Sequence, residues 1–301
     1  MSSTLKAARN AAASTIAWTL YHAPGLERRY ANAAHAARAL PLLHTLFRET
    51  TDRLVDRLVH ARRQYRRVNL GVVAPLFDVS SFTVKGQYFA HVPYEPGATD
   101  AVLSRLTPGG VFIDIGANAG YFSVLAGLCV GSAGQVFAFE PNPLVREQLQ
   151  HHVDLNGIGN RVTVADVALA DRCQDDVPFF VSCWQDNTGI SSLTPSAETI
   201  ARGGLREDRT IAVRVRTFDA WAAAIHLPRI DLIKIDVEGA ELQVLSGMSQ
   251  TFAANPPRAL ICETRPDSPA ADLLRGQGYR SAIVDAIPGG IPNLLFERPV
   301  Q

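Results

Sequence analysis

Two stretches of this chain place chemically active residues at telling intervals. The first is Val111-Phe112-Ile113-Asp114-Ile115-Gly116-Ala117-Asn118-Ala119-Gly120, followed by Tyr121-Phe122-Ser123. Gly116 and Gly120 let a backbone turn tightly and approach a ligand with no Cβ in the way. The helix expected to follow offers N–H groups at its start to a carboxylate or phosphate. The glycines stand four apart, not in the GxGxxG spacing of a dinucleotide turn, and an acid precedes the first by two residues. A pyrophosphate gains nothing from Asp114, whereas a ligand carrying an ammonium and a sulfonium does. S-adenosylmethionine carries both. Alternatively, the turn merely packs a strand on a helix.

Further acids recur where strands should end. Glu140, in Phe139-Glu140-Pro141-Asn142, can accept both hydroxyls of a ribose, a property shared by nicotinamide cofactors; it can also compensate a helix dipole. Asp166 can accept from an adenine amino group while Val167 covers the ring, or can serve as a turn residue. The second stretch runs from Asp231 to Glu241 and brings Asp236, Glu238 and Glu241 into six residues. Helix-dipole compensation explains Glu238 and Glu241 but explains Asp236 less well. Lys234, of the same strand parity as Asp236, can pair with it. Glu263 ends the next apolar run. Asp236 and Glu263, on adjacent strands, could hold Mg²⁺, act as general base toward a hydroxyl, or bind a polar group of a substrate. His91, Tyr94 and Glu95 precede the sheet and could cap the pocket.

The elements that must position these residues alternate. Strands are expected at Val111–Gly116, Gln135–Glu140, Arg161–Ala168, Val177–Trp184, Ile211–Phe218, Asp231–Val237, Arg258–Glu263, Tyr279–Asp285 and Asn293–Glu297. Helices are expected from Gly120 to Val130, Leu144 to Asn156, Glu238 to Phe252 and Pro269 to Gln277. Alternating strands and helices imply a parallel sheet covered on both faces. Only Ile287-Pro-Gly-Gly-Ile-Pro292 separates the last two strands, so they should form an antiparallel hairpin. Residues 76–90 suggest a strand or hairpin, and residues 184–210, with Trp184, Asn187, Ser191, Ser192 and Arg202, a mobile polar lid.

Composition bounds the class. The 301 residues are 47% hydrophobic and 19% charged, with 29 basic and 29 acidic side chains. That suits a globular α/β protein and excludes a chain basic throughout, so no nucleic-acid partner is expected. Residues 1–70 nevertheless hold 12 basic and four acidic side chains. This helical, Ala/Arg-rich region is either a solvated helical face or a contact for an anionic membrane surface or a second subunit. The four cysteines form no CxxC pair, no apolar run is long enough to span a membrane, and no signal peptide is evident, so a cytoplasmic location is expected. The expected organisation is an accessory region over 1–75 and a ligand-binding domain over 76–301.

The motifs together resemble the FkbM family of S-adenosylmethionine-dependent methyltransferases. The matching segments are YEPG (94–97), FIDIGANAGYFS (112–123), FAFEPNP (137–143), HHVDLNGI (151–158), VALAD (167–171), GISSL (189–193), DLIKIDVEGAELQVLSGM (231–248) and ICE (261–263). The resemblance implies a class I methyltransferase fold: a Rossmann-like α/β, seven-stranded, mostly parallel sheet ending in an antiparallel hairpin. It implies S-adenosylmethionine held by Asp114, Gly116, Ala117, Asn118, Gly120, Glu140, Asn142, Asp166 and Val167. The acceptor it implies is a hydroxyl on a sugar, glycan or secondary metabolite. From the residues themselves, catalysis is expected of Asp236 first and Glu263 second, and a divalent metal is possible but not expected. Residues 1–75 lie outside the resemblance. Two other readings remain: a nicotinamide-dependent oxidoreductase, which Glu140 suits and Asp114 does not, and a non-catalytic adaptor acting through the basic helices.

Overall fold

The computed structural model describes residues 3–23, 26, 29–30, 33, 41–61, 64–80, 93–182, 189–195, 200–201, 204–206, 208–227, 229–286 and 290–298. His91, Trp184, Asn187 and Arg202 lie outside the described residues. The chain forms two compact units, Met1–Tyr94 and Glu95–Gln301.

In the first unit, helices α1 (Ser3–His22) and α2 (Pro41–His60) pack together. Ala13, Ala17 and Leu20 recur at helical spacing on the buried stripe of α1, and Thr51, Leu54, Val55 and Leu58 are buried on α2. Arg9 pairs with Glu49 at 2.7 Å. Further along, Tyr21 lines a cavity of about 560 Å³ together with Arg53, Asp56, Arg57, His60 and Ala61. The two sets of contacts advance in the same direction along both helices, so α1 and α2 run parallel. The Tyr30 hydroxyl, on the crossover, donates to the Phe47 carbonyl at 2.6 Å. The region is not helical to residue 70: β1 (Tyr65–Arg67) pairs antiparallel with β2 (Leu76–Asp78). The remainder of the strand expected over 76–90 lies outside the described residues.

The second unit is a three-layer α/β structure. Its elements are α3 (Pro96–Arg105), β3 (Val111–Ile115), α4 (Tyr121–Cys129), β4 (Gln135–Phe139), α5 (Pro143–Leu155), β5 (Val162–Ala165), β6 (Val167–Leu169), β7 (Gln174–Phe180), β8 (Thr210–Arg216), α6 (Phe218–Ile225), β9 (Leu232–Ile235), α7 (Glu241–Ser246), α8 (Ser249–Ala254), β10 (Ala259–Glu263), α9 (Pro269–Gly276), β11 (Arg280–Asp285) and β12 (Asn293–Glu297). The seven-stranded sheet has the order β11-β12-β10-β9-β3-β4-β5. It is parallel except that β12 runs antiparallel to both neighbours. The expected hairpin is therefore present, with its second strand inserted between the first and the rest of the sheet.

Burial on both faces explains why the central strands are almost wholly apolar. Ile113, Ile115, Ile233, Ile235, Leu260 and Cys262 point into one core with Val244, Leu245, Met248 and Leu274 from the helices. The opposite parity carries Asp114, Lys234 and, one step beyond β9, Asp236.

Two expected elements are corrected. The strand expected over Arg161–Ala168 breaks at Asp166: β5 pairs with β4, whereas β6 leaves for a three-stranded sheet of order β6-β8-β7. The helix expected from Glu238 starts only at Glu241 and is divided into α7 and α8. Glu238 and Gly239 have φ of +55° and +104°, which no right-handed helix accommodates. Among the described residues, no helix is long and apolar enough to cross a membrane.

Candidate active site

The glycine turn lies at the carboxyl end of β3, in the middle of the sheet, where open α/β sheets present ligand sites. Gly116 has φ +83° and lies against the backbone of Asp236, whose carbonyl oxygen a Cβ at 116 would overlap. Gly120, at φ +89°, leaves no room for a Cβ beside the Leu149 side chain. Asn118 adopts the left-handed region (φ +49°), where its side-chain oxygen accepts from the Ala119 N–H at 2.8 Å. The amides of the turn are engaged within the protein. Gly116 and Ala117 N–H both donate to the Phe139 carbonyl, and Gly120 N–H donates to the Ala117 carbonyl. The turn itself thus offers shape more than hydrogen-bond donors, and no side chain caps the start of α4.

Asp114 is buried under α4 and accepts a 2.6 Å hydrogen bond from the Ser123 hydroxyl. Burial raises its pKa to about 6, against the lowering influence of Ser123 and of the Lys234 charge. Glu140 is buried as well. One of its oxygens accepts from Asn142 N–H at 2.8 Å and the other from Asn118 N–H at 3.0 Å. A carboxylate oxygen has a second lone pair, so each remains able to accept from a diol. Burial pushes Glu140 up to about 7. The Asn142 side chain caps α5 by accepting from Leu144 N–H, a structural role. Asp166 forms an ion pair with Arg214 of β8, which holds its carboxyl below the usual range. Val167 is half-buried against the main core.

These raised values set a pH dependence. Asp114 and Glu140 hold their protons to higher pH in the folded chain than in the unfolded chain, whose values are about 3.9 and 4.3. Their contribution is fully present below about pH 4 and is lost as the pH rises through about 6 and then about 7. The ligand-free chain is therefore expected to melt at a lower temperature at about pH 8 than at about pH 5.5. Calorimetric scans across that range check this, and the Asp114→Asn, Glu140→Gln double variant should flatten the slope.

The second cluster closes the other side of the turn. Lys234 is buried next to Asp114 in the β3–β9 register. Its ammonium lies 2.7 Å from Asp236, 3.5 Å from Glu95 and 4.6 Å from the centre of the Phe122 ring. The pairing of Lys234 with Asp236 that strand parity suggests is thus present. Burial opposes charge on Asp236, but Lys234 and a hydrogen bond with Glu263 overcome it and hold the carboxyl below its ordinary value. Burial, with Asp236 and Glu238 beside it, drives Glu263 far upward, so Glu263 keeps the shared proton. Burial and the same neighbours push Glu238 to about 8. Carboxylate oxygens of Asp236, Glu238 and Glu263 all lie within 4.8 Å of one another. Glu241 turns back to accept from Gly239 N–H at 3.0 Å.

Sequence reasoning placed Asp114, Glu140, Asp236 and Glu263 correctly at strand ends. It missed three supports. Ser123 holds Asp114. Ser192 is buried and donates from its hydroxyl to the Glu238 carbonyl at 2.8 Å. Asp285 fixes the start of α3 by accepting from Gly97 and Ala98 N–H. Ser123 and Ser192 lie in the matching segments FIDIGANAGYFS and GISSL, whereas Asp285 carried no sequence signal. Among the described residues, Cys129, Cys173 and Cys262 are free thiols.

The model of the methyltransferase FkbM domain matches residues 114–281. The 2-O-methyltransferase NoeI of Sinorhizobium fredii is 28% identical over 199 residues, covering 64% of this chain and 77% of NoeI. The AMB antimetabolite synthetase AmbE of Pseudomonas aeruginosa is 28% identical over 228 residues, 63% of this chain but only 10% of that protein. The hexuronic acid methyltransferase AglP of Haloferax volcanii is 25% identical over 154 residues, covering 50% of this chain and 55% of AglP.

Proposed function

The chain belongs to the FkbM methyltransferase family, and from that premise we propose that it is an S-adenosylmethionine-dependent O-methyltransferase acting on a hydroxyl of a sugar, glycan or similar polyhydroxylated metabolite. The observation that carries this reading is the contact of the Gly116 turn with the Asp236 backbone. It sets an acid cluster directly beside the turn, so a methyl donor and an acceptor hydroxyl can meet. The name of NoeI supports O-methylation, and that of AglP supports a sugar-acid acceptor.

The residues present fit the donor. Gly116 and Gly120 leave the space that a Cβ would fill, Asp114 offers a carboxylate to an ammonium, and Glu140 offers two acceptor oxygens to a ribose. Val167 and Asp166 complete the adenosine end. When bound, the donor would supply an electrophilic methyl on a sulfonium, transferable to the acceptor oxygen with the carbon–sulfur electron pair kept by sulfur. The chain's task is to orient the acceptor and exclude water. Asp236 accepts the hydroxyl hydrogen, and Glu263, which holds a proton, fixes the orientation of the Asp236 carboxyl.

Titration calorimetry with S-adenosylhomocysteine tests the donor half. Binding is expected, and Glu140→Gln should weaken it about 10–100-fold, the worth of hydrogen bonds to a charged group. Absence of binding by the unaltered chain would remove the reading. Homocysteine release from S-adenosylhomocysteine formed in the presence of methyl glycosides, uronic acids and polyols tests the acceptor half.

A further inference from the structure

We infer that Asp236, Glu238, Glu263 and Asn293 form a binding site for one hard divalent cation of the Mg²⁺ or Mn²⁺ class. The first observation is the convergence of three carboxylates, each from a different setting. Asp236 follows β9, Glu263 ends β10, and Glu238 is turned by its left-handed backbone. Their oxygens lie within 4.8 Å of one another, a spacing that one ion can bridge. One ammonium, Lys234, faces Asp236 and Glu95.

The second observation is independent of the acids. Asn293 begins β12 directly opposite Glu263 in the antiparallel β10–β12 ladder. Directly opposed residues of such a ladder put their side chains on the same face of the sheet, so Asn293 opens toward the Glu263 side of the cluster. It is 4% exposed, and its amide oxygen finds no hydrogen-bond donor among the described residues. A buried acceptor without a donor carries a desolvation cost that a bound cation can recover. A carbonyl oxygen beside three carboxylates is the ligand set of a hard, oxygen-seeking cation, not of a thiolate- or imidazole-loving one.

The inference depends on the methyltransferase reading for what the ion does, not for where it binds. An acceptor hydroxyl on such an ion is more acidic. That lightens the demand on Asp236, which its contact with Lys234 makes a weak proton acceptor.

The test uses the full chain after dialysis against a chelator, with Mn²⁺ alone as the probe, followed by calorimetry and by loss of the free Mn²⁺ paramagnetic signal. One Mn²⁺ per chain is expected, displaced by Mg²⁺. Glu238→Gln and Asn293→Ala should each weaken it about 10–100-fold, and near-ultraviolet dichroism should show both variants folded. Asn293→Ala leaves every acid in place, so it decides the matter if Glu238→Gln misfolds. Absence of Mn²⁺ binding at millimolar concentration, or binding that both substitutions leave unchanged, overturns the inference. Titrating S-adenosylhomocysteine into the same chelator-treated chain separates the two failures, because donor binding without Mn²⁺ binding leaves the methyltransferase reading standing.

Discussion

Replacing Gly116 by alanine is expected to destroy the donor site and to destabilise the fold by more than about 4 kcal/mol, at the exceptional end of single substitutions. Two costs add. At φ +83° an L-residue costs about 1–2 kcal/mol against glycine. The new Cβ also overlaps the Asp236 carbonyl oxygen. Both partners are backbone, so no rotamer change relieves the clash, and the β3 and β9 ends must separate. Gly157 supplies the control: it has φ +65° and nothing within 4 Å of a Cβ. Gly157→Ala should therefore cost only the conformational part, about 1–2 kcal/mol. Denaturant unfolding of the two variants, with S-adenosylhomocysteine calorimetry, checks the contrast. Equal losses would mean that the contact with Asp236 is unimportant.

Asp236→Asn is expected to lower methyl transfer by about 10²–10⁴-fold, the range for removing a positioned proton acceptor. Donor affinity should change only severalfold, because Asp114 and Glu140 are untouched. The variant should also lose stability, because the buried Lys234 ammonium gives up a charged partner at 2.7 Å. Breaking a buried pair costs about 3–5 kcal/mol, and the lower end applies here because Glu95 remains at 3.5 Å. Turnover at saturating donor separates the two effects. Near-normal turnover would show that Asp236 takes no part in the chemistry, whatever happens to stability.

The skeleton of the second unit was legible because burial on both sides writes itself into sequence: Val111–Ile115, Leu232–Ile235 and Ala259–Glu263 are short apolar runs between polar turns. The strand-end acids were legible because a charge closing such a run needs a reason. The break at Asp166 was not, since Val162 to Leu169 is apolar except for Thr163 and Asp166 and holds no Gly or Pro; only the pairing of Val167 with Arg214, far along the chain, divides it. The late start of α7 was equally hidden. Glu238 and Ala240 favour a helix by composition, and it is Ser192, 46 residues earlier, that secures the Glu238 carbonyl outside one. Asn293 was passed over for the same reason. Its opposition to Glu263 exists only once β12 has inserted between β10 and β11.

The parallel course of α1 and α2 bears on the excess of positive charge near the amino terminus. Two helices aligned in one sense bring their carbonyl-rich ends together, each worth roughly half an electron. Left bare, those ends repel. His22 closes one helix, and Arg57 and His60 close the other, with Arg53 one turn back in the shared cavity. Part of the basic surplus thereby neutralises an internal repulsion, so a membrane or partner need not be invoked to account for all of it.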